Sequence, residues 1–544
     1  MKLLKKDLYN KINQVLSTLD YPIKDYTLIP PKKSSFGDIS SNIALLIGNE
    51  LKKNPMDCGQ KILDELNKLT LENIKSITIT NPGFINFFID DSFYQSYIKT
   101  IISQDSKFGK SSIGNGKKVN VEFVSANPTG PLTVGHGRNA VIGDTISNLL
   151  SWNGFGVTRE YYFNNAGRQM RILGESVQAR YLGLSGKTYE FPEEGYQGNY
   201  IKKIAQDIID NPPNDFDQST EYFRSYAEQV IFNQIEKSLK KLGIKFDVYT
   251  NEKTFYENGK IDLLIKELQE KQLIYEKDGA RWFRASALGK EKDKVYIKSS
   301  GEPTYRVPDT AYHRDKLNRK FDMIIDVFGA DHADSYSDVL VALEALGYDI
   351  TPIRILIYQF VTLIKDGKKI KMSTRKANFV TLDQLLDELG ADVVRYFFIM
   401  RSINSHLDFD LNLASDQSDK NPVFYLQYAY ARICNIIKHA KSKSISLNKS
   451  FNPDVLCHEH ELRLLKHVVL FPELIESTSE TLEPQNIATY LQELASLFHR
   501  FYSKCRVISD NLILSEARLN LIYAIKITLG NGLKILGIST PEKM

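Results

Sequence analysis

The chain has 544 residues, 42% of them hydrophobic and 25% charged, and its 70 Lys and Arg against 66 Asp and Glu leave a net charge of +4. These proportions exclude a disordered, collagen-like or disulfide-scaffold protein, and the length predicts roughly three or four domains. A charge of +4 on so long a chain announces no polyanionic partner until its placement is known.

Residues 1–105 are expected to form an α+β unit. An amphipathic start is followed by SSNIALLIGNELKKNP, a helix predicted to stop at Pro55, and by SITITNPGFINFFID, whose alternation broken by Asn81-Pro82-Gly83 reads as a β-hairpin. Residues 106–415 alternate strand and helix patterns, as an α/β domain with a parallel sheet does. Lys118 to Val124 reads as a strand, Ile142, Ile146, Leu149 and Leu150 fall at helical spacing, and VTREYYF (157–163) is the next strand. Between about 185 and 260 the pattern loosens into an insertion, either a surface excursion without chemistry or a substrate-binding element. Residues 416–544 are nearly all helical, with Asn421-Pro422 starting one helix and Ser509-Asp510 and Gly530 punctuating later ones.

No run of about 20 apolar residues is present, so no membrane span is expected. The N-terminus lacks the apolar centre of a signal peptide. Cys58, Cys434, Cys457 and Cys505 are widely spaced, which suits a reducing cytosol. Cys457-His458-Glu459-His460 cannot aim four adjacent side chains at one ion, so no protein metal is expected.

The stretch from Val121 to Asp144 carries the chemistry. Strand, Gly/Pro-rich turn and helix N-terminus follow one another, the arrangement in which backbone N–H groups and the helix dipole face phosphates. Gly135 and Gly137 lack a Cβ and would let a nucleotide approach, and His136 between them can donate to a phosphate oxygen. A second loop, from Lys365 to Lys376, holds six cations against Asp366 alone and precedes a helix whose Thr381 and Gln384 form a capping box. Such a loop suits neutralisation of a triphosphate as pyrophosphate leaves.

SANPTGPLTVGHGR resembles the first signature of class I aminoacyl-tRNA synthetases, in the spelling of the bacterial-type arginyl-tRNA synthetases, and Lys371-Met372-Ser373, about 235 residues beyond His136, resembles the second. The family has His at both ends of the first four-residue core; here Thr133 replaces the first of them, and Thr374-Arg375 follow the second motif. The resemblance implies a Rossmann-type catalytic domain with an insertion, an N-terminal module for the outer corner of tRNA, and an all-α anticodon-binding bundle. It implies ligation of L-arginine to tRNA(Arg) through an arginyl-adenylate, with ATP and Mg2+ as substrate, by a cytoplasmic monomer.

The site residues implied are His136, Lys371 and Ser373 for catalysis, and Thr133, Gly135, His136, Gly137, Lys371 and Met372 for ATP. Glu122, Ser125 and Asn127 would hold the substrate's main-chain end, Tyr305 and Asp309 its guanidinium, and His332 would flank the pocket beside Asp331. Five N–H donors and no acceptor make carboxylates the natural partners of that group. From Lys420 onward 15 Lys and Arg face 11 Asp and Glu, so the bundle accounts for the net charge. Tyr425 and Tyr428 beside Arg432 and Lys438 give the mixture of aromatics and cations that unpaired bases require. The rivals are another adenylyl-transferring Rossmann enzyme, such as a cysteinyl-tRNA synthetase relative, and a tRNA-binding paralogue without chemistry.

Overall fold

The computed structural model describes residues 1–165, 167–212, 216–370, 380–448 and 450–544, without the side chains of Ser34 and residues 332–335. In the N-terminal module Ile74–Thr80 and Phe84–Ile89 pair as the expected hairpin within a four-stranded antiparallel sheet. Pro55 differs from expectation. The helix Ile43–Leu51 already ends on Lys52 in a left-handed conformation, and Pro55 opens the next helix, Pro55–Leu66, as its fixed φ favours.

The catalytic region is built on five parallel strands: β1 (Lys118–Glu122), β2 (Gly156–Phe163), β3 (Val248–Asn251), β4 (Met323–Gly329) and β5 (Ile353–Tyr358). Their order is β5-β4-β1-β2-β3. The chain runs outward from β1 through β2 to β3, then returns to the other side of β1 at β4. The topological switch point, where such sheets bind ligands, therefore lies outside the C-terminal ends of β1 and β4. β3 falls inside the 185–260 stretch read as insertion, although it is the edge strand of this sheet.

Helix α1 (Val134–Trp152) follows β1, and the excursion after β2 contributes α2 (Asn199–Asp210) and α3 (Thr220–Lys241). A second module was passed over in the sequence: Ile274–Lys277, Ala280–Phe283 and Lys294–Ile297 make a small antiparallel sheet with its own apolar core. Asp278 and Gly279 both have positive φ, the two-residue hairpin turn that Asp-Gly favours. Helix α4 (Arg306–Asn318) leads into β4, and α5 (Leu382–Leu389) and α6 (Ala391–Ile399) follow the second loop.

The C-terminal bundle includes α7 (Pro422–Ser442), capped by Asn421, α8 (Gln485–Lys504) and α9 (Leu512–Leu536). Gly530 does not punctuate a helix; it lies inside α9, and a Cβ there would already sit 3.3 Å from the Tyr430 ring. Close approach of α7, rather than a stop, explains that glycine. The fully buried Arg395 of α6 donates to Asp144 Oδ2 of α1 (2.6 Å), to Leu242 O after α3 (2.9 Å) and to Leu536 O at the end of α9 (2.9 Å), tying bundle to sheet. One apolar core runs continuously from the N-terminal module into the bundle. Among the described residues no helix is long and apolar enough to cross a membrane, and all four cysteines are unbridged.

Candidate active site

Immediately after β1 the backbone takes a conformation that non-glycine residues avoid. Val124 (φ 66) and Ser125 (φ 41) are both left-handed, at a cost of order 1–3 kcal/mol each. Local bonds hold them there. Val124 N donates to Asn139 Oδ1 (2.6 Å), Ser125 Oγ donates to Glu122 Oε1 (2.8 Å), and Ser125 Oγ accepts from Tyr162 N (3.2 Å). The kink carries the chain over the sheet's C-terminal edge. Asn127 then fastens it, donating to Gln169 Oε1 (3.0 Å) and accepting from Asn164 N (3.2 Å), so part of its amide is spent on the protein itself.

The loop ends at the N-terminus of α1 in a capping box. Thr133 Oγ1 accepts from His136 N, and His136 Nδ1 accepts from Thr133 N (3.2 Å). Thr133, which stands where the family has a histidine, is thus the helix cap. Because Nδ1 accepts, the ring proton sits on Nε2. Burial lowers the His136 pKa to about 4, against a raising influence of Asp331, so at neutral pH this is an uncharged N–H donor. A Cβ on Gly135 would make only an ordinary contact with Thr133 Oγ1 (3.7 Å), whereas one on Gly137 would lie 2.6 Å from Leu382 Cδ1 and 3.0 Å from Phe398 Cε2. Gly137 therefore lets α5 and α6 pack against α1. Gly137→Ala is expected to destabilise the catalytic region by about 1–3 kcal/mol through overpacking, read as a lowered thermal midpoint.

At the switch point lies a cleft of about 1130 Å³ that brings together Glu122, Ser125, Asn127, His136, Tyr305 and Asp309. Tyr305 is at its rim, 54% exposed, with the guanidinium of its own neighbour Arg306 4.8 Å from the ring centroid. The ring expected to receive a substrate guanidinium is occupied by Arg306. Across the cleft stands Glu252, which the sequence reading missed; its Oε2 accepts from Tyr162 OH (2.8 Å). Burial pushes both Glu252 and Asp309 up to about 7, and each is further raised by a neighbouring carboxylate, Asp309 acting on Glu252 and Glu122 on Asp309.

Beneath the cleft the register of the sheet sets Glu122 opposite Asp326 on β4 and opposite Glu160 on β2, a row of three buried carboxylates. Helix α4 and the residue after it set two cations against the row. Lys316, with no exposed surface, binds Glu122 and donates to Asp326 Oδ1 (2.6 Å), and Arg319 pairs with Glu160 (2.9 Å). Burial opposes the Lys316 charge, but Asp326, Glu122 and Glu160 outweigh it and hold its pKa above the ordinary value. His313 Nε2 and Tyr336 OH complete the shell of Asp326 at 3.1 and 3.0 Å. Glu122, His313 and Asp326 are the one trio of potential metal ligands among the described residues, and the Lys316 ammonium already binds both of its carboxylates. Asp309, His313 and Lys316 recur at helical spacing in α4, a polar stripe that could have signalled this network.

Lys371, Met372 and Ser373 lie outside the described residues, as does the His332 side chain. The described flanks of the cationic loop do meet the first signature. Thr133 and Thr381 form an antiparallel bridge, Leu382 N donates to Leu132 O (2.8 Å), and Thr381 and Gln384 make the expected capping box of α5.

On the bundle, a groove of about 1120 Å³ is lined by Tyr428, Arg432, His439, Lys443, Lys504 and Arg506 among others, with Asp510 its one acidic side chain among the described residues. The Arg432 guanidinium lies 4.3 Å from the Tyr428 ring centroid and 4.9 Å from that of Tyr502. Tyr425 and Lys438 fall outside the groove: the Tyr425 ring packs on His499 (4.7 Å) and Lys438 pairs with Glu542 (3.2 Å).

Three family models match the chain: the arginyl tRNA synthetase N terminal domain over residues 3–89, the tRNA synthetases class I (R) catalytic domain over 97–396, and the DALR anticodon binding domain over 426–544. It is 48% identical over 523 residues to the arginine–tRNA ligase of Desulfotalea psychrophila, covering 95% of each chain. It is 43% identical over 562 residues to that of Salinibacter ruber, covering 99% of this chain and 100% of the other. The fold is similar to that of Thermus thermophilus arginyl-tRNA synthetase, with a TM-score of 0.78 at 21% identity over 99% of this chain and 100% of that one.

Proposed function

The chain belongs to the class I arginyl-tRNA synthetases, and from that premise we propose how its residues divide the ATP-dependent charging of tRNA with arginine. The reaction needs no covalent catalyst. The arginine carboxylate attacks the α-phosphate of ATP in line, pyrophosphate leaves, and a terminal ribose hydroxyl of the tRNA displaces AMP from the adenylate. The protein's part is positioning and charge stabilisation.

In this reading the N-terminus of α1 faces the phosphates and His136 Nε2–H donates to them as a neutral group. A charged histidine is unnecessary there, because Mg2+ arrives with ATP as part of the substrate. Lys371 and Ser373 would meet the departing pyrophosphate, with Met372 against the nucleotide. Asp309 and Glu252 clamp the guanidinium between two carboxylates. Glu122 and Ser125 hold the α-amino end, and Asn127 shares that task with its own bonds to the loop. Tyr428 and Arg432, with Tyr502, Lys504 and Arg506, form the anticodon groove, and the N-terminal module takes the outer corner of the tRNA. A cytoplasmic monomer is part of the same proposal and rests on the family likeness alone.

The observation that carries the substrate assignment is a pair of carboxylates, Glu252 buried and Asp309 half-buried, each pushed up to about 7 and facing one cleft. Two acids held so reluctantly ionised suit a permanently charged, delocalised partner such as a guanidinium. Isotope exchange between pyrophosphate and ATP tests it, run with arginine, citrulline or lysine, with and without tRNA(Arg). Arginine alone among the three should support exchange, and tRNA should be required for it. Equal exchange with citrulline, which keeps the shape but not the charge, would overturn the carboxylate clamp.

A further inference from the structure

The excursion after β2 touches both the first signature loop and α5, the helix that follows the second. Between Asn127 and Leu132 the first loop contains Pro128 and Pro131, which bring no N–H, so few backbone bonds can hold it. Tyr200, in the first turn of α2, donates its hydroxyl to Thr129 O at 2.7 Å. The loop lies directly on that ring, since a Cβ on Gly130 would be 3.0 Å from the Tyr200 hydroxyl. At the far end of α3, buried Ser238 donates to Asp383 Oδ2 (2.7 Å), and Lys241 pairs with Asp387 (2.8 Å) and Asp383 (3.3 Å). Asp383 is in the first turn of α5 and Lys241 in the last turn of α3, so each charge also complements its own helix dipole. The Thr133–Thr381 bridge joins the same two segments from within. A groove of about 510 Å³ marks where the three meet, lined by Pro131, Tyr200, Ile204, Gln234, Thr381 and Gln384 among others.

We propose that α2 and α3 act as a clamp that fixes the first signature loop relative to helix α5 behind the second, with Tyr200 as a positioning residue for the ATP-dependent step. The inference rests on the ATP site described above. Its mechanism is geometric. The loop carries the cap of α1 at Thr133, so a shift of Thr129 moves the helix N-terminus and His136 together, while Asp309 and Glu252 stand on other elements and keep their places. Loss of a tie should therefore weaken the use of ATP selectively.

The test is exchange kinetics in the presence of tRNA(Arg) for Tyr200→Phe, Ser238→Ala and the double variant, each with its thermal midpoint. Tyr200→Phe keeps the ring and loses one hydrogen bond, so the fold should survive with a midpoint within about 2 °C of the parent. The Michaelis constant for ATP should rise about five- to tenfold, with that for arginine within about twofold. The double variant should cost less than the two singles multiplied together, because both ties hold one unit. An unchanged constant for ATP, or equal rises for ATP and arginine, would overturn the clamp. Absence of arginine-dependent exchange in the parent protein would instead overturn the reading of the site itself.

Discussion

Asp309→Asn is expected to raise the Michaelis constant for arginine by about 30-fold at least, and to leave that for ATP nearly unchanged. The amide keeps the shape of the carboxyl but cannot form the charge-assisted pair, and truncating one partner of a desolvated pair costs about 2–5 kcal/mol, each 1.36 kcal/mol being tenfold. Equal effects on both substrates would sink the assignment. The pH dependence follows from the same pair. Asp309 and Glu252 are held up to about 7, so near pH 6 the empty cleft holds protons that a guanidinium must displace. The Michaelis constant for arginine should fall as pH rises from about 6 to about 8, and less so in Asp309→Asn.

For stability the sign is opposite. A carboxyl whose folded pKa is raised contributes stability that is fully present below the unfolded value, near 4, and is lost as pH rises through about 7. Arginine restores what ionisation removes. Saturating arginine should therefore raise the thermal midpoint more at pH 8 than at pH 6, and equal shifts would show that the pair is ionised throughout.

What could be read from the sequence was whatever short-range chemistry writes there. Thr381 with Gln384, Asn421 before Pro422, and Asn81-Pro82-Gly83 between alternating runs each place a helix start or a hairpin within a few residues, and each lies where expected. The first signature located the cleft for the same reason, since Ser125, Asn127 and His136 line it. Partners set by strand order were hidden. Glu122 meets Asp326 and Glu160 because β1 lies between β4 and β2, a fact of topology that no local pattern in VEFV contains. Glu252, just after β3, and Tyr200, on α2, both lie in the 185–260 stretch, whose loose pattern concealed β3. Gly137 shows packing that the signature hides: the Cβ it lacks is the one Leu382 and Phe398 would strike. Thr133 is a departure that costs the helix nothing, since threonine caps as well as donates, and the neutral state of His136 reduces the demand for a second histidine beside it.

The largest loss of stability should come from Lys316→Met. The substitution keeps the length and removes the ammonium, leaving Glu122 and Asp326 facing each other in register with almost no exposed surface through which water could screen them. Breaking a buried charge arrangement by removing one partner costs about 3–5 kcal/mol, because the remaining charges stay desolvated. His313, already bonded to Asp326, can take up only part of the difference by protonation. A second change, Asp326→Asn combined with Lys316→Met, removes one of the orphaned charges and should recover part of the loss, which simple loss of packing would not allow. Thermal unfolding followed at the catalytic region checks both, with the double variant melting between Lys316→Met and the parent. A midpoint unmoved by Lys316→Met would mean that the ammonium adds nothing net to the carboxylate row, and it could then not be what holds Glu122 ready for the α-amino group of arginine.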